Sequence, residues 1–191
     1  MADSSTRESA AAHDLELAAL AASGGRSAFG ELIRRHNSAV RALLRRMGAD
    51  GATADDVAQD AFLAAFEQIT DFRGEGTFQA WVKRIAARLY VKRWRRDARG
   101  QALAEADERT LPPVAAGPDD RIDLDEALRR LSQAERLCIS LCYGAGLSHA
   151  EAAEALNAPL GTVKSHVKRG LDKLRTRLAP ELPAGDAEEH G

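Results

Sequence analysis

Residues Ala52–Arg96 read ATADDVAQDAFLAAFEQITDFRGEGTFQAWVKRIAARLYVKRWRR. Apolar side chains fall at Val57, Ala61, Phe62, Ala65, Phe66 and Ile69, close to the period of a helix with one buried face. Thr53 stands where an N-cap would, with Asp55 and Asp56 in the first turn, where the helix dipole favours acids. The run TDFRGEGT breaks the period and reads as a loop. Thr77 then caps a longer helix, from Phe78 to about Asp97. On that helix Arg84, Arg88, Lys92, Arg95 and Arg96 share one side, and Lys83 and Arg93 broaden the stripe. Like charges at helical spacing repel, so the stripe destabilises an isolated helix and a polyanion would relieve that cost. Contact with a nucleic-acid backbone is therefore favoured over a merely solvated face. Asp56, Gln59 and Asp60 span little more than one turn and present an acidic edge. Phe62, Phe66 and Trp81 read as core. Trp94, inside KRWRR, either stacks on an unpaired base or packs inward.

The surroundings extend the helical pattern in both directions. Asp14 to Ala22 reads as a short helix stopped by Gly24-Gly25. Ser27 to Met47 carries Phe29, Leu32, Ile33, Val40, Leu43 and Leu44 on one face, with Gly48 as its C-terminal stop. Gly100 to Pro118 has no period and contains Pro112-Pro113 and Gly117-Pro118, so it reads as a linker. Four helices follow: Arg121–Leu131, Gln133–Tyr143, His149–Leu156 and Thr162–Leu178. Two of them open on capping boxes, Ser132 with Glu135 and Ser148 with Glu151. No strand-like alternation of any length occurs. The expected fold is all-α: a helical domain at 14–98, a flexible linker at 99–118, a second helical domain at 119–178 and an acidic tail at 179–191.

Composition bounds the function. Hydrophobic residues are 45%, charged residues 29% and aromatics 5%, a globular balance whose cores rest on Leu, Ala, Val and Ile. No apolar run is long enough to span a membrane, and the early acids of the N-terminus do not suit a secretory signal, so a cytoplasmic location is expected. The net charge of −2 conceals its distribution: Arg73–Arg99 holds nine Lys/Arg against two acids, Gln101–Glu126 two against eight, and Thr162–Leu178 six against one. Two basic blocks around an acidic stretch suggest two polyanion-binding surfaces on one chain. Cys138 and Cys142 share a helix face and read as small core residues, because no further Cys or His stands at metal-ligand spacing. No metal, cofactor or small-molecule substrate is expected. No hydrolytic or redox constellation and no phosphate-binding Gly-Lys-Ser/Thr loop is visible, so an enzyme is not expected.

The second basic block is helix, tight turn, helix. His149–Leu156 is followed by Asn157-Ala158-Pro159-Leu160-Gly161 and then by the helix from Thr162. Val163, Val167, Leu171 and Leu174 anchor that helix, which leaves Lys164, Ser165, His166, Lys168 and Arg169 on the expected exposed face. Such a face suits a major groove: Lys164, Ser165 and His166 near base edges, Lys168 and Arg169 on phosphates.

The stretch LSHAEAAEALNAPLGTVKSHVKRGLDKLR resembles region 4 of bacterial RNA polymerase sigma factors, and also the helix-turn-helix of response regulators. Ala52–Arg96 resembles sigma region 2 over its whole length. Asp56, Gln59, Asp60 and Phe62 fall on that family's Asp-x-x-Gln-Glu-x-Phe signature, Trp81, Ile85 and Ala86 on its Trp-x-x-x-Ile-Ala element, and Arg95-Arg96 on its basic end. Both halves in this order, with a short linker, resemble the extracytoplasmic-function class. The resemblance implies that Asp56, Gln59 and Asp60 dock on the clamp helices of the largest subunit of core RNA polymerase. It implies that Arg73, Arg84, Arg88, Lys92, Arg93, Arg95 and Arg96 meet the −10 element of promoter DNA, with a base flipped into the Thr70–Thr77 loop. Thr162, Lys164, Ser165, His166, Lys168 and Arg169 would meet the −35 element. An anti-sigma factor, commonly membrane-bound, is the further partner implied. Two positions depart from the family: Arg88 stands where Asn is usual, and His166 where Arg is more common. Two other readings are a stand-alone helix-turn-helix regulator and a sigma mimic that sequesters an anti-sigma factor without binding DNA.

Overall fold

The structure is a computed structural model that describes residues 13–97 and 124–178. The expected linker and acidic tail, with residue 98 of the first expected domain and residues 119–123 of the second, lie outside these residues. Every regular element among the described residues is helical. In chain order they are α1 (13–22), α2 (Arg26–Met47), α3 (Gly51–Glu67), a 3₁₀ turn (Ile69–Asp71), α4 (Phe78–Asp97), α5 (Leu124–Arg129), α6 (Gln133–Ile139), α7 (His149–Leu156) and α8 (Leu160–Leu178).

The local signals explain most of the boundaries. Gly48 ends α2 at φ 109°, with its amide bonded to the Arg45 carbonyl and that of Ala49 to Leu44, the left-handed stop that glycine adopts without penalty. Thr77 Oγ1 accepts from the Ala80 amide at 3.1 Å and opens α4 as expected. Both capping boxes are formed, at Ser132/Glu135 and Ser148/Glu151. Three expectations are corrected. Asp50, not Thr53, caps α3: its Oδ1 accepts from the Thr53 amide at 2.7 Å, so the helix starts at Gly51 and Asp55 and Asp56 lie beyond its first turn. The α8 helix begins at Leu160, two residues before Thr162, because the Thr162 and Val163 amides already bond to the Pro159 carbonyl. The expected helix Gln133–Tyr143 is α-helical to Ile139 and then widens to a π turn at Ser140–Gly144, where the Ala145 amide reaches the Ser140 carbonyl.

Helices α1–α4 form one unit around Leu32, Leu44, Val57, Phe62, Phe78, Val82 and Val91. Asp14 of α1, itself buried, ties this unit together by accepting from Arg35 at 3.2 Å and pairing with His36 at 2.7 Å. Helices α5–α8 form the second unit, in which the buried Glu135 is bridged by Lys173 of α8 at 2.7 and 2.9 Å. The two units are packed together: one continuous apolar core runs from Leu32 and Met47 to Leu137, Leu141, Ala152 and Val163. Gly144 permits that approach, since a Cβ there would stand 2.6 Å from Leu43 Cδ1. Arg136 is buried beside Gly48, and burial pulls its guanidinium below its ordinary value while pushing the neighbouring Tyr90 hydroxyl up to about 12. Two polar ties join α2 to the second unit, Arg46 to Asp125 at 2.6 Å and Gln133 Nε2 to the Met47 carbonyl at 3.2 Å.

Candidate nucleic-acid and polymerase interfaces

The stripe on α4 forms as the periodicity requires, but much of it faces the second unit. Arg84 Nη2 donates to the Gly146 carbonyl at 2.8 Å, Arg88 Nη2 pairs with Glu151 Oε1 at 3.3 Å, and Arg95 Nη1 donates to the Ala155 carbonyl at 3.4 Å. Arg93 lies 3.5 Å from Asp56 and 3.6 Å from Asp97, and Arg96 3.4 Å from Asp97. Lys92 and the loop residue Arg73 are exposed. Lys83 is half-buried, and that desolvation lowers its ammonium from the ordinary value. The repulsion expected along the stripe is thus met from within the chain, by carbonyls and carboxylates of α3, α7 and the turn before α7.

Glu151 joins these networks. One carboxylate oxygen accepts from the Ser148 amide at 2.8 Å and closes the capping box of α7, and the other pairs with Arg88. Its carboxyl is held below the usual range first by the Ser148 amide and hydroxyl, with the charges of Arg84 and Arg88 adding to the effect.

The aromatic residues divide by position. Phe72, Phe78 and Trp81 pack edge-on or tilted at centroid separations of 5.4–5.7 Å and brace the loop before α4. Trp94 is half-buried against the core, so of its two sequence readings the inward one describes this structure. Phe62 is buried as expected, but Phe66 is 38% exposed, which corrects its reading as core.

Phe66 has a different setting. Between α2 and α3 lies an open groove of about 630 Å³, lined by Phe29, Ile33, Gln59, Phe62, Leu63 and Phe66. Phe66 packs edge-on against Phe29 at 5.0 Å, and Leu63 is 57% exposed. Of the three polar residues singled out in the sequence, Gln59 lines this groove, Asp56 is engaged by Arg93, and Asp60 is exposed. Phe29 and Ile33 read in the sequence only as part of the apolar face of α2, and Leu63 escaped sequence reasoning, although it stands four residues after Gln59 and so on the same helix face.

The helix-turn-helix is built as expected. Asn157 takes the left-handed conformation at φ 51° and ends α7, and the chain turns through Pro159 into α8. Val163 and Val167 are buried, Lys164, Ser165, Lys168 and Arg169 are exposed, and Thr162 is partly covered. Gly170 lets α8 lie close on α6, since a Cβ there would stand 2.5 Å from Ile139 Cδ1. Ser165 is turned back along the helix, its hydroxyl donating to the Gly161 carbonyl at 2.9 Å. His166 corrects the expected exposed face: it is buried, 3% exposed, and Arg169 Nη2 stands 2.8 Å from its Nδ1. A side chain at that depth does not lie on the face offered to a groove. Cys138 is buried and Cys142 half-buried, and burial pushes the Cys142 thiol up, away from reactivity. Among the described residues no group of three His, Cys, Asp or Glu could hold a metal, and no helix is long and apolar enough to cross a membrane.

Comparison with known proteins gives these surfaces a family. Residues 32–100 match the model of sigma-70 region 2, and residues 127–176 that of sigma-70 region 4. The chain is 33% identical over 175 residues to RNA polymerase sigma factor NccH of Alcaligenes xylosoxydans xylosoxydans, covering 86% of this chain and 94% of that protein. It is 34% identical over 169 residues to the ECF RNA polymerase sigma factor SigM of Mycobacterium tuberculosis, covering 87% and 83%. With the ECF sigma factor SigE of Mycolicibacterium smegmatis it shares 34% identity over 158 residues, but spans only 61% of that protein's length. Among solved structures it is similar to the sigma factor RpoE of Bartonella quintana, in complex with the anti-sigma factor NepR, at a TM-score of 0.51 and 25% identity, covering 80% of this chain and 98% of that one. The chain therefore carries sigma region 2 at residues 32–100 and sigma region 4 at residues 127–176, and it belongs to the extracytoplasmic-function family of RNA polymerase sigma factors.

Proposed function

We propose that this chain binds core RNA polymerase and directs it to promoters, reading a −10 element with α4 and its preceding loop and a −35 element with α8. The observation that carries this reading is the presence on one chain of two basic helices set in regions 2 and 4, one beside an apolar groove and one in a helix-turn-helix. The groove of α2 and α3, with Gln59 inside it, and the exposed Asp56 and Asp60 of α3 are the docking site for the clamp helices of the largest polymerase subunit. An apolar floor with a polar rim is the usual anatomy of such an interface. Arg73, Arg84, Arg88, Lys92, Arg93, Arg95 and Arg96 serve the −10 DNA, and Thr162, Lys164, Ser165, Lys168 and Arg169 the −35 DNA. The chain needs no metal or cofactor, takes no small-molecule substrate and catalyses nothing itself. It works in the cytoplasm, where the polymerase is, and an anti-sigma factor is its third partner.

The packed arrangement adds a step. Phosphates compete with Gly146, Glu151 and Ala155 for Arg84, Arg88 and Arg95, so engagement of the −10 element loosens α7 from α4. Residues 99–118 supply the tether, which holds the second DNA-reading unit at high effective concentration once the first is bound. The two other sequence readings are weaker: a stand-alone regulator has no use for the groove, and a mimic that only sequesters an anti-sigma factor has none for two basic helices.

Co-purification with core polymerase tests the first half of the proposal. Asp56→Lys with Asp60→Lys should abolish the association while helicity stays unchanged, because exposed substitutions usually cost under about 0.5 kcal/mol. Undiminished polymerase binding by this variant would sink the assignment of the groove edge.

A further inference from the structure

The contact between His166 and Arg169 is one turn long and joins a buried residue to an exposed one. His166 is 3% exposed, Arg169 is exposed, and Arg169 Nη2 stands 2.8 Å from His166 Nδ1. A guanidinium has five N–H donors and no acceptor. The hydrogen bond therefore has one sense only, with Arg169 donating and Nδ1 accepting. A ring that accepts at Nδ1 is the neutral tautomer with its proton on Nε2. The imidazole is held by its burial in the second unit, whereas an arginine on a helix surface is normally free to sweep through many rotamers. Both residues line an open hollow on α8, which they share with Pro159, Thr162, Ser165, Lys168 and Asp172.

We infer that His166 is a positioning residue: it does not touch DNA but holds the Arg169 guanidinium in one orientation at the surface of α8. The inference rests on the reading of α8 as the −35 helix. Its physical content is the difference between two uses of arginine. A phosphate contact tolerates a swinging cation, because charge alone does the work and no sequence information is carried. A bidentate contact to the O6 and N7 of guanine demands a fixed fork. Tethering one Nη fixes the plane of that fork before DNA arrives, so the orienting cost is met on folding rather than on binding. Arg169 is thereby a base-discriminating residue in this chain, and the histidine that replaces the family's commoner arginine contributes by orientation instead of by charge.

The test uses full-length chain with core polymerase and a promoter pool randomised at the upstream element, with relative affinities measured for each selected sequence. Four variants are compared: Arg169→Ala, His166→Leu, His166→Asn and the double variant Arg169→Ala with His166→Leu. Leucine fills the buried site without an acceptor, and asparagine returns an amide oxygen near the place of Nδ1. Arg169→Ala should flatten discrimination at one or two upstream positions by about tenfold to a hundredfold, the span of one bidentate contact. His166→Leu should flatten the same positions, His166→Asn should restore most of the discrimination, and the double variant should be no worse than Arg169→Ala alone. Thermal melting and polymerase binding, read on the same samples, separate this pattern from unfolding of the second unit, which would lower affinity for all sequences alike and leave nothing for asparagine to rescue. Unchanged selection by His166→Leu, or losses that multiply in the double variant, would overturn the positioning role while leaving α8 as the −35 helix. Unchanged binding by Arg169→Ala would overturn both.

Discussion

Helices α4 and α8 carry similar charge and live in different company. Seven lysines and arginines lie on α4 and six on α8. On α4, Arg84, Arg88 and Arg95 are taken up by the second unit and Arg93 by Asp56. On α8, Lys173 anchors the helix through Glu135, while Lys164 and Lys168 stand exposed on the side proposed to meet DNA. A basic helix is therefore not by itself an open binding surface. What decides is which acceptors the fold brings within reach, and those on α7 are the chain's own.

The largest expected effect comes from removing the stripe. Arg88→Ala, Lys92→Ala and Arg95→Ala together should lower promoter affinity of the holoenzyme by orders of magnitude and flatten its salt dependence. The slope of log affinity against log salt should fall by about 2.7, at about 0.9 for each of three duplex phosphates lost, and polymerase binding should persist. An unchanged slope would make α4 a solvated face with internal partners only. Lys168→Ala on α8 should lower the slope by about 0.9 and weaken all sequences about equally, in contrast to the sequence-dependent loss expected of Arg169.

Glu135→Ala probes the scaffold under α8. The glutamate is buried and serves both a capping box and Lys173. Because Lys173 is 53% exposed, its ammonium returns to water when the partner is lost, so the cost falls short of that of a fully buried pair. A loss of about 2 kcal/mol, the sum of a helix cap and a charged hydrogen bond, is expected in chemical denaturation. A variant as stable as the wild type would show that the bridge does not hold α8.

The smallest effect sharpens the comparison most. Glu151→Gln keeps a side chain able to close the capping box of α7 but removes the charge that faces Arg88. An exposed pair of this kind is worth about 0.2–1 kcal/mol, so −10 DNA should bind a few times more tightly to the variant. Acidification should act in the same direction. The folded-state value of Glu151 is depressed, first by the Ser148 amide and hydroxyl and then by Arg84 and Arg88, so its carboxylate stabilises the folded chain above the ordinary carboxylate value, and that contribution is lost as pH falls through the depressed one. Thermal melts of wild type and Glu151→Gln should therefore differ at neutral pH and converge in acid. A difference that persists in acid would show that the charge is not its cause.

Much of this was legible in the sequence because it is local. Gly48, Thr77 and the two Ser-x-x-Glu boxes act within one turn of backbone, and each is found where the pattern puts it. The misses are non-local or a matter of depth. The cap of α3 shifted to Asp50 because either of two polar side chains three residues apart could meet a free amide. Phe66 fits the apolar period of α3, but period alone cannot say that α2 leaves a groove open above it. His166 falls one place before the stripe residue Val167, at the margin between buried and exposed faces, where the period alone does not decide its depth. The packing of α7 on α4 links residues some sixty apart, Arg88 with Glu151 among them, and no periodicity reports on such a pair.

Division of labour between the two basic helices is tested most directly by transcription from a promoter pool randomised at both elements, using core polymerase charged with wild type, the α4 triple variant or Arg169→Ala. Wild type should select transcripts from two-element promoters. The α4 variant should lose preference for −10 sequences and keep the −35 motif, and Arg169→Ala should lose discrimination within the −35 motif and keep the −10. No promoter-dependent transcription, or loss of both motifs together when one helix is altered, would contradict it.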